Sequence, residues 1–184
     1  MQRRCFGCGD EVQIVGILNT FGENATEQGD FARAEAFYEE AVVIAEKLPM
    51  WETGLLTVIQ ANRGHVALCK GDDARAEALF REWVALLEPV GIHSALAFGV
   101  MGLAGVWACR HRPKRAAQLL GITDRSLEIS AIDLAPVDRA DHARISDAIR
   151  SQLDEETRLT ARAKGRAMTL EQAVSYALEQ ATVD

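Results

Sequence analysis

Apolar residues recur along this chain at spacings of three and four, the period of one helix face. The pattern predicts helices over residues 11–28, 31–47, 52–70, 73–88, 94–110 and 113–130, with breaks at Pro49, at Pro89 with Gly91, and at the turn 111–113. Farther on, Ile145, Ile149 and Leu153 mark a helix over about 136–152, and a shorter one spans 154–164 and stops at Gly165. In TLEQ, Thr169 and Gln172 have capping-box spacing and open a last helix, whose Leu170, Val174, Ala177 and Leu178 form one stripe. No stretch alternates apolar and polar residues well enough to predict a strand.

The helices come in repeated pairs. GDFARAEAFY at 29–38 returns as GDDARAEALF at 71–80, with Tyr38 answered by Phe80. Outward from this core, Gly22 matches Gly64, Ala34 matches Ala76 and Ala41 matches Trp83. A period near 42 is the signature of a solenoid, whose units cannot bury their apolar faces alone. Each unit reads as a helix, a tight Gly-Asp turn and a second helix. Gly29 and Gly71 suit the position after a helix end, where positive φ is cheap only for glycine. Asp30 and Asp72 follow as caps for the next helix. Small residues at Gly22, Gly64, Ala34 and Ala76 allow close approach, and Tyr38 and Phe80 fill the space between.

A third, diverged unit lies in GLAGVWACRHRPKRAAQLLG. There Ala104 and Ala116 stand for Gly64 and Ala76, His111 for the turn glycine, and Leu120 for the aromatic; Pro113 fits the first turn of a helix. The expected fold is all-α: a right-handed superhelix of about three helix pairs (11–48, 52–90, 94–130) closed by a helical cap over 131–184. Residues 1–10 read as a poorly ordered tail.

The pattern of Gly22, Gly29, Ala34, Tyr38 and Ala41, with its second copy, resembles a tetratricopeptide repeat in a long-helix form. RAAQLLG at 115–121 and RAKGRAMTLEQAVSYAL at 162–178 look like the C-terminal end of LuxR-type transcriptional regulators and related bacterial signalling ATPases. In those proteins a helical-repeat arm follows a nucleotide-binding domain, and the resemblance covers Val12 to Leu178. It implies a sensing or interaction arm. The chain has neither a GxxxxGK[ST] phosphate loop nor a recognisable DNA-reading helix, so it is expected neither to hydrolyse ATP nor to bind DNA.

In tetratricopeptide arrays the first helix of each unit lines the concave side. The matching positions here are Asn19, Glu23 and Thr26, then Ala61, His65 and Leu68, then Phe98, Met101 and Gly105. The basic pair that clamps a terminal carboxylate in known members is missing, which favours an apolar peptide helix or a small ligand. The expected function is a non-catalytic protein-interaction or sensing module of a bacterial regulator, binding a peptide or helix in the groove. A small-molecule effector domain is the alternative, and a metal-dependent enzyme comes third.

Charge narrows the partners. The chain has 184 residues and net charge −7; residues 1–90 hold 8 Lys/Arg against 15 Asp/Glu, and residues 91–184 hold 12 of each. That is not the footprint of a nucleic-acid binder. No run of about 18 apolar residues occurs, and no apolar stretch follows Arg3 and Arg4, so neither a membrane span nor a secretory signal is expected. The chain reads as cytoplasmic, its four cysteines as free thiols. Cys5 and Cys8 form a CxxC knuckle, half of a zinc site with no second pair to complete it. His65, Cys69, Cys109 and His111 read as groove or packing residues, no nucleophile–His–acid order is evident, and no cofactor is implied. The basic run RHRPKR at 110–115 reads as a solvated turn, with Arg110 favourable at a helix end. Val12, Ile14, Val15, Ile17 and Leu18 make the first helix a surface for a homodimer.

Overall fold

The computed structural model describes residues 8–48, 53–87, 93–131, 133–134 and 136–179. Among these there are nine helices and no strand: α1 Cys8–Glu27, α2 Phe31–Ala45, α3 Thr53–Cys69, α4 Asp73–Leu87, α5 His93–Cys109, α6 Pro113–Ser130, α7 Pro136–Arg150, α8 Glu155–Arg166 and α9 Leu170–Leu178. The protein is all-α, as its apolar periodicity requires. The boundaries fall within two residues of expectation except at the start of α1. Helix α1 begins at Cys8, inside the segment read as a tail, and α8 runs through Gly165 to Arg166. Pro49, Pro89 and Gly91 lie outside the described residues. None of the described helices is long and apolar enough to cross a membrane. The chain divides into two compact units, Met1–Asp72 and Asp73–Asp184.

In the first unit, α1 and α2 form a hairpin. Gly29 takes φ 74°, its amide donates to the Thr26 carbonyl at 3.0 Å, and the Asp30 amide donates to the Ala25 carbonyl at 2.9 Å. These bonds use carbonyls that the end of α1 leaves free. The Asp30 carboxylate then accepts from the Arg33 amide at 3.2 Å and caps α2. Beside the turn, a Cβ on Gly22 would run into the Tyr38 ring, so the two helices touch through a glycine and an aromatic face. Val15, Leu18, Ala25, Ala34, Tyr38, Ala41, Ile59 and Val66 form one buried cluster that takes in α3. Burial pushes the Tyr38 phenol up to about 12; a Thr26 hydrogen bond works against this and the Glu23 charge adds to it. The α3 end repeats the turn, with Gly71 at φ 76°.

In the second unit α5 is central, and its buried residues run from Leu96 to Ala108 with Phe98 half-buried. It packs against α4, α6 and α7. The α5–α6 turn places His111 at φ 56°, where the first two turns have glycine. Histidine is among the few non-glycine types that visit this region with any frequency. Pro113 opens α6. Gly102 on α5 lies against the Phe80 ring with no space for a Cβ.

Helices α6 and α8 cross backbone to backbone. A Cβ on Gly121 would overlap the Arg162 carbonyl, and one on Gly165 would overlap the Gln118 carbonyl. Gly165 is therefore a contact residue inside α8 rather than its terminator. Helix α9 opens on the capping box of Thr169 and Gln172. Its C-terminal carbonyls are capped by arginines: Arg115 donates to the Tyr176 and Glu179 carbonyls at 2.8 and 2.6 Å, and Arg81 donates to the Leu178 carbonyl. Arg115 also stacks on the Trp107 and Tyr176 rings. Arg110 pairs with Glu77 and donates to the Asp73 carbonyl. Two arginines of the basic run thus serve packing within the unit.

Candidate functional site

The second unit holds an open cleft of about 530 Å³ between α6, α7 and α8, lined by Asp124, Leu127, Glu128, Leu134, His142, Arg158, Leu159, Arg162 and Arg166. Its basic wall comes from α8. Asp154 caps that helix, accepting from the Thr157 amide at 2.8 Å and the Thr157 hydroxyl at 2.7 Å. Glu155 and Glu156 occupy the first turn and Lys164 and Arg166 the last, an order that matches the helix dipole. On this frame Arg158, Arg162 and Arg166 stand four residues apart and share a face. Ala161 and Gly165 are buried, and the α6 backbone comes up to Gly165.

Helix α6 answers with two acids, also four residues apart. Arg162 grips Asp124 with Nε at 2.6 Å and Nη2 at 3.0 Å. The Arg166 Nη2 group reaches both Glu128 oxygens, at 2.7 and 2.8 Å. His142 of α7 joins Asp124 Oδ1 at 3.0 Å. Burial pushes the Asp124 carboxyl up, but the hydrogen bonds from His142 and Arg162 outweigh it and hold the group below the ordinary carboxylate value.

The charge balance is uneven. Three arginines face two carboxylates, and among the described residues no carboxylate pairs with Arg158. Leu127, Leu134 and Leu159 provide an apolar surface beside it. The lining includes no serine, threonine or cysteine that could serve as a nucleophile, and both acids are held in ion pairs. The arrangement is suited to holding an anion with an apolar part.

The residues picked from sequence fall elsewhere. Asn19, Glu23, Thr26, Ala61, His65 and Leu68 belong to the first unit; Phe98 and Met101 belong to the second. In the first unit, Asn19 donates to Glu23 at 2.9 Å, and Asn62 donates to Asn19 at 2.9 Å and to Glu23 at 3.3 Å. Asn19 and Glu23 are thus joined to each other, through a third residue, Asn62, that periodicity alone does not single out. The Thr26 hydroxyl donates back to the Gly22 carbonyl at 2.9 Å. Ala61, His65 and Leu68 are half-buried, and His65 Nε2 lies 3.5 Å from Cys69 Sγ. Met101 and Gly105 are buried in the packing of α5, whereas Phe98 keeps partial exposure. Cys5 lies outside the described residues, and of Cys8 only the helical backbone is described. Neither Cys69 nor Cys109 is in a disulfide. Burial, aided by the Asp73 charge and opposed by Arg144, pushes the Cys109 thiol up, away from the reactive thiolate form. Among the described residues, no three His, Cys, Asp or Glu side chains gather as a metal site would require.

Periodicity missed the cleft because arginines four apart are the ordinary solvated face of a helix. Their neighbours Asp124 and Glu128 lie about forty positions away in sequence. The two segments that carry the regulator resemblance do meet in the fold: Gly121 of RAAQLLG lies against α8, and the Tyr176 hydroxyl donates to Gln118 at 2.6 Å. No family model, no curated protein and no solved structure matches the chain.

Proposed function

We propose that this chain is a non-catalytic, tetratricopeptide-like sensing module, the arm of a bacterial regulator of the LuxR-type or signalling-ATPase kind, and that it binds a small anionic effector in the α6–α7–α8 cleft. Three left-handed turn residues, Gly29, Gly71 and His111, support the repeat of helix pairs; they recur at spacings of 42 and 40 residues. The observation that carries the binding role is Arg158, a guanidinium without a carboxylate partner among the described residues, beside an apolar surface of three leucines. Arginine suits this task because its planar fork meets carboxylate or phosphate in two hydrogen bonds. The ligand class is a carboxylate or phosphate on a short apolar body.

The test is thermal unfolding with inorganic phosphate and, separately, with C4 to C8 monocarboxylates. A ligand at about a hundred times its dissociation constant stabilises the folded state by about 2.7 kcal/mol. Stabilisation by a monocarboxylate that Arg158→Ala abolishes supports the reading, and a greater response to phosphate assigns the phosphate class. No response to either, or a response that Arg158→Ala leaves intact, refutes it.

The polar network of Asn19, Glu23 and Asn62 favours a second reading, in which the first unit holds a peptide by its backbone amides. A pull-down that loses its partner on Glu23→Lys would favour that reading over the cleft.

A further inference from the structure

We infer that two copies of this chain associate through α1, antiparallel about a two-fold axis near Ile17. Helix α1 carries an open apolar stripe: Ile14, Ile17 and Phe21 are 43%, 53% and 50% exposed. Spacings of three and four put them on one line. The Phe21 ring packs on Phe37 of α2 at 5.5 Å between centroids, which widens the patch.

The repeat itself shows what this face is built for. One period later, Ile14 and Ile17 become Leu56 and Ile59 of α3. Ile59 is fully buried in the cluster formed with α1 and α2, and Leu56 packs against the same cluster. The register position that α3 buries is the one α1 leaves open. Val15 and Leu18, on the adjoining face of α1, are already buried in that cluster. The homodimer face expected from sequence therefore narrows to Ile14 and Ile17, and gains Phe21.

Charge selects a second copy as the occupant. Asp10 is exposed and lies on the line of the stripe, at its N-terminal end. At the other end, Arg33 stands over the Phe37 ring at 5.4 Å. Helix α2 runs back along α1 from the Gly29 turn, so Arg33, one turn before Phe37, stands level with Ala25. Neither Asp10 nor Arg33 has an ion-pair partner among the described residues. A two-fold axis at the middle of the stripe sets Ile14 on the partner's Phe21, at the rise of about 1.5 Å per residue. The same axis brings Asp10 level with the partner's Arg33. One operation thus pairs apolar with apolar and acid with base at both ends, as an isologous interface requires.

Sedimentation equilibrium of the full chain, from about 1 to 200 µM, tests this. The wild type is expected to dimerise, and Ile17→Asp to raise the dissociation constant about 30-fold or more, the effect of a residue central to an interface. Asp10→Arg is expected to weaken the dimer several-fold, and Asp10→Arg with Arg33→Asp to restore it. Circular dichroism checks that each variant is folded. If Ile17→Asp is not, the surface charge pair decides alone. A wild type that stays monomeric throughout overturns the inference, as does a folded Ile17→Asp with unchanged dimerisation. A double charge variant no tighter than Asp10→Arg overturns the antiparallel register.

Discussion

Gly121→Ala sets two opposing terms against each other. Within a helix, alanine is favoured over glycine by about 1 kcal/mol, because the unfolded chain loses less freedom. Against this, the new Cβ meets the carbonyl group of Arg162, which is backbone and has no rotamer to escape into. An ordinary carbon–oxygen contact is about 3.3 Å, so α8 would have to withdraw by about 1 Å. That movement loosens the burial of Ala161 and the two ion pairs that tie α8 to α6. Overpacking of this kind costs about 1–3 kcal/mol, which leaves a net loss of up to about 2 kcal/mol once the helix term is subtracted. At about 2–4 °C per kcal/mol, the melting temperature falls by up to several degrees. Gly165→Ala meets the Gln118 carbonyl and behaves the same way. The double variant costs less than the sum, because α8 has already moved. Gly16→Ala is the control: nothing lies within 4 Å of its Cβ, so only the helix term acts and stability rises by about 0.5–1 kcal/mol. Thermal and urea unfolding followed by circular dichroism reads all four. If Gly121→Ala stabilises as much as Gly16→Ala does, the α6–α8 crossing is not as close as described and the reasoning fails.

Other consequences are simpler to state. Asp124 is held below its ordinary value of about 3.9, so its contribution is complete above that pH and is lost as pH falls through the folded value. Asp124→Asn should cost about 1–3 kcal/mol at neutral pH, and the difference from wild type should shrink toward pH 2; a constant difference across acid unfolding would count against it. Tyr38 should stay protonated until about pH 12 in the folded protein, so its stabilisation is complete below the unfolded value of about 10 and fades as pH rises beyond it. Ultraviolet titration finding both tyrosines ionised near pH 10 without unfolding would contradict this. Thr169→Ala removes half the α9 capping box and should cost about 1 kcal/mol, seen as faster amide exchange in α9; unchanged exchange would make the cap irrelevant.

The repeat was legible because its information is local. Gly29 and Gly71 each sit beside the aspartate that follows the turn, and each adopts the positive φ that glycine allows. Even His111 was readable, since alignment placed it where the backbone needs a left-handed residue. What could not be read was any contact between segments without a shared period. Gly165, alone in a polar stretch, looks like a helix stop by local rules. Its purpose appears only when the Gln118 carbonyl is found against it. Arg115 likewise reads as one cation in a basic turn, whereas in the fold it closes the end of a helix sixty residues away. Met101 has the spacing of a groove residue, but α5 is enclosed, so the same spacing led into the core.

The cleft follows from that glycine contact combined with a mismatch of number. Gly121 and Gly165 bring α8 near enough to α6 for Arg162 and Arg166 to reach Asp124 and Glu128. Three arginines at four-residue spacing meet only two acids at the same spacing, so Arg158 is left over. A surface evolved only to clip two helices together needs no third arginine and no adjoining leucines. The proposed effector completes the row: its anion stands where a third acid would, and its apolar part covers Leu127, Leu134 and Leu159. Arg158→Glu should then abolish the effector response, whereas Arg162→Gln should weaken it and also destabilise α8, because Arg162 holds the helix as well as the charge. Equal effects of the two substitutions on stability would mean that Arg158 is part of the clip and not of a binding site.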